Sequence, residues 1–212
     1  MFGKGEHEVI VRPKLPSRVV PRFAPSLEYE WKVIKDGKVI DSGRGKSHSY
    51  VLNFMKMLRL TCISSSEDLV DVNGNTVTLG SGDFANTTVL APVADDTYGI
   101  LFGKSSVGFD INDYNLKDKI PQGTTDNTLS YGDTTYGDID TSETGKIKQP
   151  ISRSAQNAGG VSIDVYEIGL FIKVVKDSNI YYFMLARDVK TSPISVPSGA
   201  TLSWTYYIFT TY

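Results

Sequence analysis

Gly43-Arg44-Gly45-Lys46-Ser47 has the residue types of a phosphate-binding loop and stands ahead of an apolar, helix-like stretch. Such a loop cradles phosphate with backbone N–H groups and one lysine, in the spacing G-x-x-x-x-G-K-[ST]. That spacing requires glycine at position 40, where Ile40 stands. The upstream element also reads as one arm of an antiparallel hairpin, not the parallel strand of a βαβ unit. Gly103-Lys104-Ser105 fails in the same way, because Tyr98 holds the required glycine position. The simpler reading is that the glycines let the chain leave a hairpin and enter a helix.

Asp110-Ile111-Asn112-Asp113-Tyr114-Asn115 resembles the start of a calcium loop. It lacks the glycine at the sixth position and the Glu at the twelfth, where Pro121 stands, so an EF-hand is excluded. A looser structural calcium site with Asp133, Asp138 or Asp140 is the alternative to a polar loop of Asx turns. No other cofactor is expected. Tyr131-Gly132-Asp133 recurs as Tyr136-Gly137-Asp138, either a tip that touches a partner or a tandem turn. The two histidines, His7 and His48, give no catalytic triad and no zinc spacing. Cys62, the single cysteine, forms no intrachain disulfide and reads as a buried thiol. Asn86-Thr87-Thr88 is a glycosylation sequon by chance, given no secretion signal. The chain is therefore not expected to be an enzyme.

The elements that must position these residues are mostly strands. Residues 1–25 read as an extended, locally basic arm, broken by Pro13, Pro16, Pro21 and Pro25. Residues 26–212 read as one β-sandwich domain. Leu27, Tyr29, Trp31 and Val33 alternate with polar residues and lead into Asp36-Gly37, the strongest short-range signal for a hairpin. Residues 47–60 predict one buried helix, with Ser47 or Ser49 as N-cap. A second hairpin turns at Asn73-Gly74 and a third at Lys176 to Asn179. Residues 103–145, rich in Gly, Asp, Asn, Ser and Thr, predict a long loop region. A strand over 147–155 carries Pro150, which assigns it to a sheet edge. A strand over 162–174 is expected to break near Gly169. In the last strand Leu202, Trp204, Tyr206 and Ile208 alternate with Ser203, Thr205 and Tyr207, so it must pair inside a sheet or against another subunit.

The chain has 212 residues, 40% of them apolar, which supports a sizeable core. A net charge of −2, without a long basic run, excludes nucleic acid as the main partner. No apolar run is long enough to span a bilayer, so no membrane partner is expected. The opening residues have no apolar signal region. The expected history is synthesis in a host cytoplasm, with any exit inside an assembled particle. The 12 tyrosines suit either strands or interfaces.

Three stretches, read together, resemble a family. They are Gly45 to Leu58; Tyr98 to Gly103 with Asp113 to Ile120; and Val165 to Leu170 with Leu185 to Val189 and Ile194 to Leu202. Their order is similar to that in small β-rich, jelly-roll-like virion proteins of phages and archaeal viruses. There, E-I-G-L, L-A-R-D and I-x-V-P-x-G-x-x-L mark successive strands. The resemblance covers about two thirds of the chain and implies no catalytic residue. It implies a mainly β fold, an antiparallel sandwich or jelly roll, and a virion structural protein of a capsid, vertex or tail. Such a protein packs by symmetry with itself and other virion proteins. The contact residues expected are Arg12, Arg18 and Arg22 on the arm, Tyr131, Tyr136 and Asp138 in the loop region, and Trp204 and Tyr206 on the last strand. The alternative is a receptor- or carbohydrate-binding module at a fibre or tail tip, stacking sugars on Tyr131 and Tyr136. Arg187 and Asp188 read as a local ion pair.

Overall fold

Alternation and turn chemistry fix the first hairpin. A computed structural model describes residues 25–47, 49–63 and 66–211 of the chain. In it β1 (Ser26–Lys35) turns through Asp36 and Gly37 into β2 (Lys38–Ser47). Both turn residues have positive φ, 50° and 73°, as a type I′ turn requires. Asp177 and Ser178 adopt the same region, at 49° and 65°, between β9 (Ile163–Lys176) and β10 (Asn179–Val196). The other strands are β3 (Ser66–Val70), β4 (Thr76–Gly80), β5 (Thr87–Thr88), β6 (Gly99–Gly103), β7 (Ser130–Tyr136), β8 (Lys146–Gln156) and β11 (Thr201–Thr211).

The strands form a β-sandwich. One sheet has five antiparallel strands in the order β2-β1-β11-β8-β7. The facing sheet has the order β10-β9-β5, with β6 also paired to β9, and β3-β4 is a small separate hairpin. The last strand lies inside the large sheet between β1 and β8, as its apolar alternation demands. Leu202, Trp204 and Tyr206 point inward and are fully buried, facing a second layer that includes Ile168, Leu170 and Phe183. The Tyr206 hydroxyl reaches across to the Ile168 carbonyl on β9 at 3.5 Å.

Four local expectations are corrected. The helix, α1, spans Leu52–Ile63, not 47–60. Ser47 ends β2, and Ser49 to Val51 pair with β10 through Arg187 N–H to Ser49 O and Val51 N–H to Leu185 O, both 3.0 Å. Tertiary backbone pairing thus outcompetes helix propensity there. The helix is also only half-buried: Met57 and Leu60 face the core, whereas Met55 and Cys62 are exposed. β9 runs unbroken through Gly169, because that glycine leaves room for a ring: a Cβ there would lie 2.4 Å from Phe171.

β8 is an interior strand despite Pro150. The Pro150 carbonyl accepts Gly137 N–H at 3.1 Å, beyond the last β7 pair, Tyr136 with Ile151. The N–H that proline lacks would point to that same side. The Gly137 carbonyl takes the Gln149 side-chain amide instead, at 2.8 Å. A side chain thus supplies the donor the ladder is missing.

Candidate functional site

The strongest concentration of chemistry-bearing groups in the core is on β9 and β10. Register places Arg187 opposite Gly169 and Val189 opposite Glu167. Arg187 and Glu167 are both fully buried, and the guanidinium grips the carboxylate through Nε at 2.8 Å and Nη2 at 2.7 Å. Nη1 donates to Asp113 Oδ2 at 2.9 Å, and the remaining donors reach the Val107 and Gly108 carbonyls. Glu167 also accepts the Lys117 and Asp118 N–H groups at 3.1 and 2.7 Å. Every charge here has a partner, as burial requires. The cluster pins the 104–119 connection to the sheet. Burial pushes the Asp113 carboxyl up, but Lys117, the Asp110 N–H and Arg187 outweigh it and hold it below the usual range.

Asp188 points the other way from Arg187, as successive strand residues must, so the two form no mutual ion pair. Its carboxylate accepts Tyr206 Oη at 2.8 Å and Ser49 Oγ at 3.2 Å. Burial raises its pKa, against these hydrogen bonds. It lines an open hollow of about 510 Å³ with Tyr29, Lys46, Phe109 and Lys190. Lys190 donates to the Tyr29 hydroxyl at 2.9 Å.

A second buried arginine, Arg153 on β8, has no carboxylate partner within ion-pair distance among the described residues. It donates to the carbonyls of Gly132, Tyr98, Ile100, Pro92 and Asp95, and stacks on the Tyr131 ring at 4.8 Å. The sandwich is stitched here by cation-to-carbonyl bonds between β8, β6 and the 92–98 connection.

The residues singled out in the sequence fall into three groups. Arg12, Arg18, Arg22, His7 and His48 lie outside the described residues. Tyr131, Trp204 and Tyr206 are fully buried, so none offers a contact surface. Tyr131 belongs to strand β7, not to a loop, and its hydroxyl donates to Ile120 O at 2.9 Å and accepts Phe102 N–H at 3.2 Å. A sugar platform of Tyr131 with Tyr136 therefore does not form. Tyr136 and Asp138 are exposed. Gly43 and Gly45 are strand residues of β2, each lying under a ring: an added Cβ would sit 2.7 Å from Trp31 Nε1 and 2.7 Å from Tyr29 Oη respectively. Close approach of rings, not phosphate, explains those glycines.

The calcium-like stretch folds as turns. Asp110 Oδ1 accepts the Asn112 N–H at 2.8 Å, and Asp113 is engaged by Arg187 and Lys117. Among the described residues no three His, Cys, Asp or Glu side chains converge.

Sequence reasoning missed the outer face of the five-stranded sheet. There Glu28 and Glu30 of β1 stand beside Lys46 and Arg44 of β2 and beside Tyr207 and Thr205 of β11. The loop after β7 rises over them, held by mutual Asp140–Lys148 backbone hydrogen bonds of 2.9 Å. The result is an open cleft of about 550 Å³. The register of three strands was the missing signal, since these residues are far apart in sequence.

Compared with protein-family models, curated proteins and solved structures, the chain matches none. Among the described residues no helix is long and apolar enough to cross a membrane.

Proposed function

We propose that this protein is a structural subunit of a virion, a β-sandwich that packs by symmetry with copies of itself and with other virion proteins. The observation that carries this reading is the free edge of β2. It is ten residues long, it has no strand on its outer side among the described residues, and it exposes Val39 and Ile40 at 55% and 51%. Lys38, Arg44 and Lys46 charge the rest of this edge and a bulge falls at Ile40, so the exposed apolar pair beside the turn is the part left for a neighbour to cover. Beside the start of β1, Pro25, Ile139, Ile147, Ile208 and Phe209 line an apolar trough of about 180 Å³. Every buried charge in the core serves architecture, so packing is the activity that fits the exposed features. The likeness of Glu167 to Leu170 and Leu185 to Asp188 to strand motifs of virion proteins supports the setting.

The test is the mass and symmetry of the native protein, by light scattering and negative-stain imaging. A closed ring or larger assembly is expected. A strict monomer at the highest soluble concentration, also in the presence of candidate virion partners, overturns the proposal.

A further inference from the structure

We propose that the outer face of the five-stranded sheet binds a carboxylated saccharide. The floor is set by register: Lys46, Glu28 and Tyr207 form one cross-strand row, and Arg44 and Glu30 begin the next. A strand shows every second residue to one face, so these side chains rise together. The overhanging loop closes one side and gives the cleft a volume of about 550 Å³. Small-molecule sites span roughly 300–1,000 Å³.

The chemistry of the lining selects the ligand. Three of the four lining acids are already paired: Glu28 with Lys146 at 2.6 Å, Glu30 with Lys32 at 2.8 Å, and Glu143 with Lys148; the fourth, Asp140, accepts the Ser142 N–H at 2.8 Å. Arg44 and Lys46 have no ion pair and no side-chain hydrogen bond among the described residues. Two unpaired cations therefore stand against one lining carboxylate without an ion pair, Asp140, at the loop side of the cleft. A guanidinium offers paired N–H groups that match a carboxylate. Glu28 and Glu30 each keep a carboxylate oxygen able to accept from hydroxyls. Tyr207, half-buried, offers a ring face for the apolar side of a sugar. An inorganic anion would use the cations and leave the ring and acceptors idle. A neutral sugar would leave the cations idle. A uronic or nonulosonic acid uses all three.

This site is separate from the assembly reading. Assembly draws on the β2 backbone edge and on Val39 and Ile40 near the turn, whereas the saccharide draws on side chains at positions 44 and 46. The test is titration calorimetry of the full chain with trigalacturonate and with sialyllactose, against lactose and sodium sulfate. At least one carboxylated saccharide should bind, more weakly as salt rises, with lactose and sulfate far weaker. Arg44→Ala with Lys46→Ala, and separately Tyr207→Ala, should each weaken binding by about tenfold or more. Lys38→Ala should leave it unchanged, and all variants should keep the parent melting temperature. Failure of both acidic probes, equal binding of lactose or sulfate, or full binding by the Arg44/Lys46 double variant overturns the proposal. None of these outcomes alters the mass of the assembly, which is read separately.

Discussion

The two sheets of the sandwich treat their paired charges and their edges in opposite ways. The β9/β10 layer takes Arg187, Glu167 and Asp188 into the core. It also covers part of the outer edge of β10, where Val51 N–H bonds Leu185 O and Val72 N–H bonds Tyr182 O, both at 3.0 Å. The five-stranded sheet sets its charged row outward on β1 and β2 and leaves the edge of β2 open. Where charge is buried every donor is spent inside the molecule, so the charge specifies the fold. Where charge and backbone face outward, donors remain for something outside. The β10 edge is covered in part by its own chain, and the β2 edge is left open among the described residues.

The comparison breaks most sharply at Arg187. Arg187→Ala leaves Glu167 and Asp113 buried without their shared cation. Breaking a buried pair from one side costs about 3–5 kcal/mol. Denaturant unfolding should show that loss. Replacing all three residues with apolar ones should not restore the parent value, although buried ion pairs can often be exchanged in that way. Glu167 also accepts the Lys117 and Asp118 N–H groups, which an apolar residue would leave orphaned. Full recovery in the triple variant would mean that the cluster does not anchor the 104–119 connection.

Arg153 sharpens the point from the facing sheet. Its charge is met by carbonyls and the face of the Tyr131 ring, with no carboxylate among the described residues, so Arg153→Ala strands acceptors but also removes a costly buried cation. The expected loss is about 2–4 kcal/mol, below that of Arg187→Ala. Equal losses would mean that carboxylate pairing adds nothing to the Arg187 cluster.

Within the β9/β10 layer two carboxylates respond to acid in opposite directions. Asp113 is held below its ordinary range, so it contributes stability above its unfolded pKa and loses it as pH falls through the folded value. Asp188 is raised by burial, so the folded state holds its proton more tightly than the unfolded state does. Its contribution is complete below the unfolded pKa and is lost as pH rises through the folded value. Asp188→Asn should therefore gain stability near neutral pH and lose that gain in strong acid. Urea melts at several pH values check this. A gain that persists unchanged below pH ~4, the ordinary range of an Asp carboxyl, would place the cause outside that titration.

Local rules carried much of the fold and little of the site. Asp36-Gly37 declared its turn, and the alternation through Trp204 declared a paired last strand, because both signals are complete within a few residues. The helix start was not legible, since Ser49 to Val51 are claimed by β10, more than a hundred residues away. Pro150 read as an edge because nothing local shows that Gln149 supplies the missing donor. Tyr131 read as a loop tip because the polar residues around it mask a strand whose ring is buried. The Arg187–Glu167 pair lay within the two motifs that carried the resemblance, yet only strand register reveals that they meet. The outer-face cleft needs three strands and an overhanging loop, so composition gave no hint of it.

The smallest effect on stability should accompany the largest change in association. Ile40 is half-exposed on the edge strand and contributes little to the core, so Ile40→Lys should change unfolding free energy by no more than about 0.5 kcal/mol. A lysine on an edge nevertheless opposes strand addition by placing an ammonium where a neighbouring strand would lie. If the open edge of β2 is the assembly surface, the variant should remain folded and lose mass by light scattering. The reverse substitution on the covered side, Tyr182→Lys on β10, should leave any assembly intact once its own cost in stability is allowed for. Assembly unchanged in Ile40→Lys would transfer the interface to the apolar trough beside Pro25, and the two edges would no longer differ in the way their exposure implies.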